Sequence, residues 1–178
     1  MELLRQLRLS IGLTLTFVWA CAAQPAPPGE YSLKAVFLYN FVRFVDWPES
    51  AFTSPNDPFV IGIVGSDPFG ALLYEAIAGE TYHGRPITVV HFATPRDIRH
   101  CHLLFVSQGN RNHYDAILEQ ASGQGLLTVG ETESFLDRGG MIALTTEQSR
   151  VHVRINGTAL RNSALGVSSK LLQVAQIR

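Results

Sequence analysis

The residues best equipped for chemistry fall in four short stretches. His100-Cys101-His102 puts two imidazoles on one side of an extended segment, because side chains alternate along a strand. Two ligands are fewer than the three or four that hold zinc, and no HExxH or CxxC completes a set. Gly62-x-x-Gly65-x-x-x-x-Gly70 falls where a strand turns into a helix, a place that attracts anions. It is not GxGxxG, it lacks the Lys-Ser/Thr of a phosphate loop, and Pro68 removes an N–H that a phosphate would need. It reads as a structural turn. Ser168-Ser169-Lys170 has the wrong spacing for SxxK, and no GxSxG occurs. Asn156-Gly157-Thr158 reads as a turn and helix cap. The acidic residues are scattered, beside turns or on polar faces, and mark no catalytic pair. The sequence therefore predicts a non-enzyme, with no catalytic residue, no cofactor and no metal site.

The first 23 residues read as an address. Arg5 and Arg8 precede an apolar run over residues 9–20, and Ala20-Cys21-Ala22-Ala23 supplies small residues for cleavage. Residues 1–23 are thus expected to be a signal peptide, 24–29 a Pro-rich linker and 30–178 a single domain. Val18-Trp19-Ala20-Cys21 is also an imperfect lipobox, so lipidation at Cys21 is the alternative to release of a soluble product. Removing residues 1–23 takes Lys+Arg from 14 to 12 and Asp+Glu from 15 to 14, a net charge of −2. That offers no basic stripe for nucleic acid. Of the two cysteines, Cys101 alone belongs to the mature domain. Its apolar neighbours predict a buried thiol.

The elements follow from periodicity. Residues 31–48 hold Phe37, Tyr39, Phe41, Phe44 and Trp47. Leu33, Phe37, Phe41 and Phe44 recur at helical spacing, while Ala35, Leu38, Val42 and Val45 add a second stripe. A helix apolar nearly all round calls for burial on most of its surface. Ser32 is the expected cap and Pro48 the stop. Lys34, Asn40, Arg43 and Asp46 argue against a membrane span. Strands are expected over 59–64, 86–92, 101–107, 126–129 and 141–145, with helices over 69–79 and 112–122. Residues 151–155 alternate apolar with polar and should form a hairpin with the preceding strand. A last helix is expected over 159–175, with Ala164, Val167, Leu171 and Val174 on one face. The fold class is α/β: a three-layer α-β-α sandwich, its sheet mostly parallel with an antiparallel C-terminal edge hairpin.

Four blocks, taken in order, resemble the YfiR family of exported bacterial proteins. They are residues 34–48 (KAVFLYNFVRFVDWP), 61–70 (IGIVGSDPFG), 101–106 (CHLLFV), and Gly139-Gly140-Met141-Ile142 with Val153-Arg154-Ile155-Asn156 and Ser168-Ser169-Lys170-Leu171-Leu172. The resemblance implies a periplasmic repressor without catalytic residues that binds the periplasmic domain of a membrane diguanylate cyclase. It also implies lowered cyclic di-GMP and biofilm formation, sequestration by an outer-membrane lipoprotein, and a homodimer. Two departures stand out. The family usually has an acidic residue where Arg154 stands, and its best-known branch has extra cysteines in disulfides.

The partner surface is expected on the hairpin edge, at Leu144, Arg154 and Leu160. An apolar residue beside a charge on an accessible edge is interface composition. With Arg154 on a wet face, reversing its charge should leave the thermal midpoint almost unchanged. The alternative function is a periplasmic small-ligand sensor. Its pocket would lie at the carboxyl ends of the strands, lined by residues 65–70 and 107–111.

Overall fold

The computed structural model describes residues 29–122 and 125–178. The expected signal peptide, Cys21 and nearly all of the linker lie outside the described residues. Helix α1 spans Glu30–Phe44 and is followed by a two-residue strand β1, Val45–Asp46. The helix begins at Gly29, whose left-handed φ of 90° replaces the expected Ser32 cap. It stops before Pro48 because Val45 and Asp46 leave it to pair antiparallel with Val167 and Gly166.

The sheet has strands β2 (Phe59–Val64), β3 (Thr81–Tyr82), β4 (Arg85–Phe92), β5 (Leu103–Val106), β6 (Leu127–Gly130), β7 (Ile142–Glu147), β8 (Arg150–Ile155) and a terminal β10 (Gln176–Ile177). Their spatial order is β10-β8-β7-β6-β5-β2-β4-β3. Strands β4, β2, β5, β6 and β7 run parallel, and β8 returns antiparallel to β7. The hairpin turn is tighter than expected, with Gln148 and Ser149 both at positive φ (48° and 61°) between the paired Glu147 and Arg150. That is the two-residue geometry whose twist matches the strands.

Helices cover both faces. Phe59, Ile61 and Ile63 point with Leu103, Phe105, Leu127, Val129, Ile142, Leu144, Val153 and Ile155 into the larger core, under α1 and α2 (Ala71–Ile77). Val64, Leu104 and Val106 point the other way, against Tyr114, Ile117 and Ala121 of α3 (Tyr114–Ala121) and Phe135 of α4 (Glu133–Asp137). Period-2 alternation along one buried strand thus serves two cores. Gly62 is needed where they crowd: an added Cβ would sit 2.7 Å from the Phe92 ring and 3.0 Å from Cys101 Sγ.

Two expectations fail. Residues 159–175 do not form one helix. They form α5 (Gly157–Arg161), strand β9 (Gly166–Val167) and α6 (Ser169–Val174) before β10. Asn162, Ser163, Gly166, Val167 and Ser168 are poor helix formers. Pairing of Val167 with Val45 and donation from Ser168 N–H to the Phe44 carbonyl at 2.9 Å outweigh the helical alternative. The apparent stripe was coincidental, for Val174 is 67% exposed. Helix α1 is also buried on one face only: Ala35, Leu38, Phe41 and Val42 face the core, but Leu33 and Val36 are each 45% exposed.

Phe41 has no accessible surface. Phe41→Ala should cost about 3–5 kcal/mol, the range for emptying a large core site. Leu33→Ala should cost under about 1 kcal/mol. Urea titration of both variants checks the contrast.

Candidate functional site

The expected partner residues fall on three elements: Leu144 on β7, Arg154 on β8 and Leu160 on α5. Alternation sorts the residues of β8. Val153 and Ile155 enter the core, and Arg154 faces the α4 side. Arg154 is not a solvated charge. Its Nε lies 2.7 Å from Glu133 Oε1 and 3.2 Å from Thr145 Oγ1, and one terminal nitrogen lies 2.5 Å from Glu147 Oε1. Arg178 extends the network to Glu133 at 2.8 Å and Asp137 at 3.0 Å. Reversing the charge at 154 would set a third carboxylate against Glu133 and Glu147, so the thermal midpoint should fall rather than hold. Leu144 has no accessible surface and pairs with Val153 across the hairpin. It supports this edge from below.

Leu160 is 7% exposed and lines an apolar cleft of about 360 Å³ with Ile155, Leu165, Val167, Leu172 and Ile177. That cleft opens on the α1 side of the sheet, so Arg154 and Leu160 share an edge but not a face. Strand β10 narrows the edge further by pairing with β8 at Arg154 and Ile155. A second cleft, of about 380 Å³, lies at the same end of the sheet, also against α5, between Leu118, Leu126, Thr128, Met141, Asn162 and Ser163.

The strand order reverses at β2: the chain goes first to β4 on one side and then to β5 on the other. Ligands of open α/β sheets bind outside the carboxyl ends at such a point. Here the chain's own side chains fill that place. Asn110 donates to the Val64 carbonyl at 3.0 Å and to Ser107 Oγ at 3.1 Å, and the Phe69 ring packs edge-on to Phe105 at 4.7 Å. Gly65 and Asn110 touch closely enough that a Cβ at 65 would lie 2.2 Å from the amide nitrogen.

Beside them lies a polar clamp that sequence reasoning missed. Lys34 is 3% exposed, with Nζ 2.8 Å from Glu131 Oε1 and 2.7 Å from Glu30 Oε1. The ammonium also sits 4.9 Å from the centre of the Tyr31 ring. The Gln108 N–H donates to Glu131 Oε2 at 2.8 Å, and Thr146 Oγ1 donates to Glu30 at 2.7 Å. Burial would push the Glu30 carboxyl up. Hydrogen bonds from Lys34 and Thr146 outweigh it and hold the pKa below the ordinary value. The clue in the sequence is Lys34 itself, a cation inside an apolar helix, which demands a buried anion.

The His-Cys-His stretch is structural. His102 is 1% exposed and stacks on Phe52 and Phe59, with ring centres 4.3 and 4.9 Å away. The Val60 N–H donates to its Nδ1, and its Nε2–H donates to the Ala51 carbonyl, each at 3.0 Å. Burial, aided by the neighbouring His100, pushes its pKa down to about 4. Cys101 is buried with a free thiol, pushed up to about 12 by burial. Among the described residues, no group of three or more His, Cys, Asp or Glu is placed to hold a metal ion. Nor is any helix among them long and apolar enough to cross a membrane.

Fold and site together define a small doubly wound α/β domain whose buried polar groups hold structure together. The sequence profile of the YfiR/HmsC-like family matches residues 31–176, and the chain belongs to that family. No match is found among curated proteins. Solved structures similar in fold include two of low identity. One is a conserved domain protein from Vibrio cholerae O1 biovar El Tor, 12% identical over 83% of this chain, with a TM-score of 0.56. The other is the ABC domain in complex with L-Trp from Streptococcus pneumonia, 10% identical over 67% of this chain, with a TM-score of 0.52. The chain spans 59% and 55% of their lengths, less than two thirds of each.

Two measurements probe these buried groups. Lys34→Met should cost about 3–5 kcal/mol, because it leaves Glu131 buried without its counter-charge. Lys34→Met with Glu131→Leu should recover part of that loss in a denaturant titration. For His102, the unfolded chain takes up a proton below about pH 6.5 that the folded chain refuses until about pH 4. Stability should therefore fall as pH drops through that window, by on the order of 3 kcal/mol, and level off below it. His102→Gln, which does not titrate, should flatten the slope of thermal midpoint against pH.

Proposed function

We propose that this protein is a periplasmic regulator that binds the periplasmic domain of an inner-membrane diguanylate cyclase and represses it. Cyclic di-GMP and biofilm formation fall as a result. The observation that carries the reading is the YfiR/HmsC-like match across residues 31–176. In this reading the protein works by occupancy. Control requires only that it bind one state of the cyclase more tightly than the other. An outer-membrane lipoprotein sequesters it, and it acts as a homodimer.

The surface we assign to the cyclase is the hairpin edge, where Arg154 and Leu160 flank the sheet and Leu144 lies beneath. Supporting this choice, Leu160 lines an apolar cleft, and Arg154 belongs to a charged network of Glu133, Glu147, Asp137 and Arg178. Apolar centre and charged rim are the ordinary anatomy of an interface. An arginine where the family usually has an acid would select a partner with the opposite charge.

Arg154→Gln removes the charge without adding a third carboxylate. Its ion pairs are part-exposed, so the loss in stability should be about 1 kcal/mol or less. Affinity for the cyclase's purified periplasmic domain should drop about tenfold or more, read by titration calorimetry. Wild-type affinity in a folded Arg154→Gln, Leu160→Ala double variant would remove this edge from the account.

A further inference from the structure

The two edges of the sheet are finished differently. At the β8 edge, β10 pairs with Arg154 and Ile155, and the uncovered part carries the exposed Arg150 and the half-buried His152. At the other edge, β3 pairs only with Arg85 and Pro86 of β4. Beyond them, residues 87–92 are paired on the β2 side alone among the described residues. The Gly65 N–H bonds the Phe92 carbonyl, so even-numbered residues of β4 point their backbone groups at β2. In a parallel ladder the groups of Ile87, Val89 and His91 then point outward.

Such an edge is ordinarily blunted by lysine, by an inward charge, by a bulge or by a cover. Residues 86–90 read Pro-Ile-Thr-Val-Val and carry no charge. His91 is held by Asp67 at 2.9 Å. Thr88 and Val90 stand exposed on the side away from α2, Val90 by 39%, while Ile87 and Val89 pack on the larger core.

We propose that β4 pairs antiparallel with β4 of a second copy, so that two sheets become one across a two-fold axis through Val89. Two identical strands bring identical charges together, so self-pairing favours a segment free of charge, and residues 86–90 carry none. Centred on Val89, the axis sets Ile87 opposite the partner's His91 and Thr88 opposite the partner's Val90. The outward groups of 87, 89 and 91 supply about six backbone hydrogen bonds across the axis. On the exposed face the cross-strand neighbours are β-branched Thr and Val, which pair well. The surface lies on the edge of the sheet opposite Arg154, so both copies keep that region free. The inference gives the proposed homodimer a location, and its test reads self-association without involving a cyclase.

The test combines sedimentation with hydrogen exchange on the full chain as the producing cell processes it, over a concentration series. We expect a dimer, with the Ile87, Val89 and His91 amides exchanging more slowly as concentration rises. The double variant Thr88→Lys, Val90→Lys stacks like charges about the axis on an already exposed face. It should be a monomer with a thermal midpoint close to that of the wild type. If that variant does not fold, exchange on the wild type decides by itself. A wild-type monomer at every concentration overturns the proposal. So does a dimer in which those three amides exchange as fast as in the monomer, or a folded double variant that remains dimeric. Protection of the three amides in a monomer would show that another segment of the chain covers the edge, and would overturn it equally.

Discussion

The buried ion pair between Lys34 and Glu131 is the constraint on which the arrangement of the rest depends. It joins the first helix to the loop after β6, at the carboxyl end of the sheet. Two charges this deep are costly unless each is fully partnered. Glu131 takes Lys34 on one oxygen and the Gln108 N–H on the other, and Glu30 with the Tyr31 ring completes the shell around the ammonium. Hydrophobic burial holds α1 against the sheet without fixing where it sits along it. A buried, directional contact fixes that position. Its consequences run along the helix to β1, which pairs with β9, and so to the path of the whole C-terminal segment.

The same contact bears on the chemistry of the site. The first turn of α1, the Phe69 ring and the Asn110 amide together occupy the region where a doubly wound sheet would ordinarily take a ligand. Polar groups there face one another, and of the His-Cys-His stretch His102 turns to the aromatic packing around Trp47, Phe52 and Phe59 while Cys101 enters the other core. What stays open on the molecule is surface: the part-exposed face of α1, the charged and apolar edge around Arg154 and Leu160, and strand β4 beyond its pairing with β3.

Much of this was legible in the sequence. Continuous β-branched runs such as 59–64 identify strands covered on both sides, and alternation over 151–155 identifies the hairpin, because both patterns record which side chains meet water. The last helix was misread since Ala164, Val167, Leu171 and Val174 happen to lie four or three apart. Only the distant Val45 and Phe44 backbone shows why the chain is extended at Val167. Alternation puts Arg154 on the correct side of its strand, yet its partners Glu133 and Glu147 come from α4 and from the end of β7, which spacing cannot bring together. Leu144 read as an edge residue because a strand's sequence does not say how much of it the neighbouring layers cover. The clamp was missed for a related reason. In the sequence Lys34 argues only against a membrane span, since its counter-charge lies 97 residues away.

The central claim is that this domain restrains a diguanylate cyclase by binding it. The most direct measurement is cellular cyclic di-GMP in a strain lacking the gene, with and without the wild-type gene restored, with the cyclase gene intact or deleted. The account predicts that the nucleotide rises on loss of the gene, returns to its starting level on restoration, and does not rise when the cyclase is also absent. Cyclic di-GMP unchanged by loss of the gene, with every cyclase present, would contradict it.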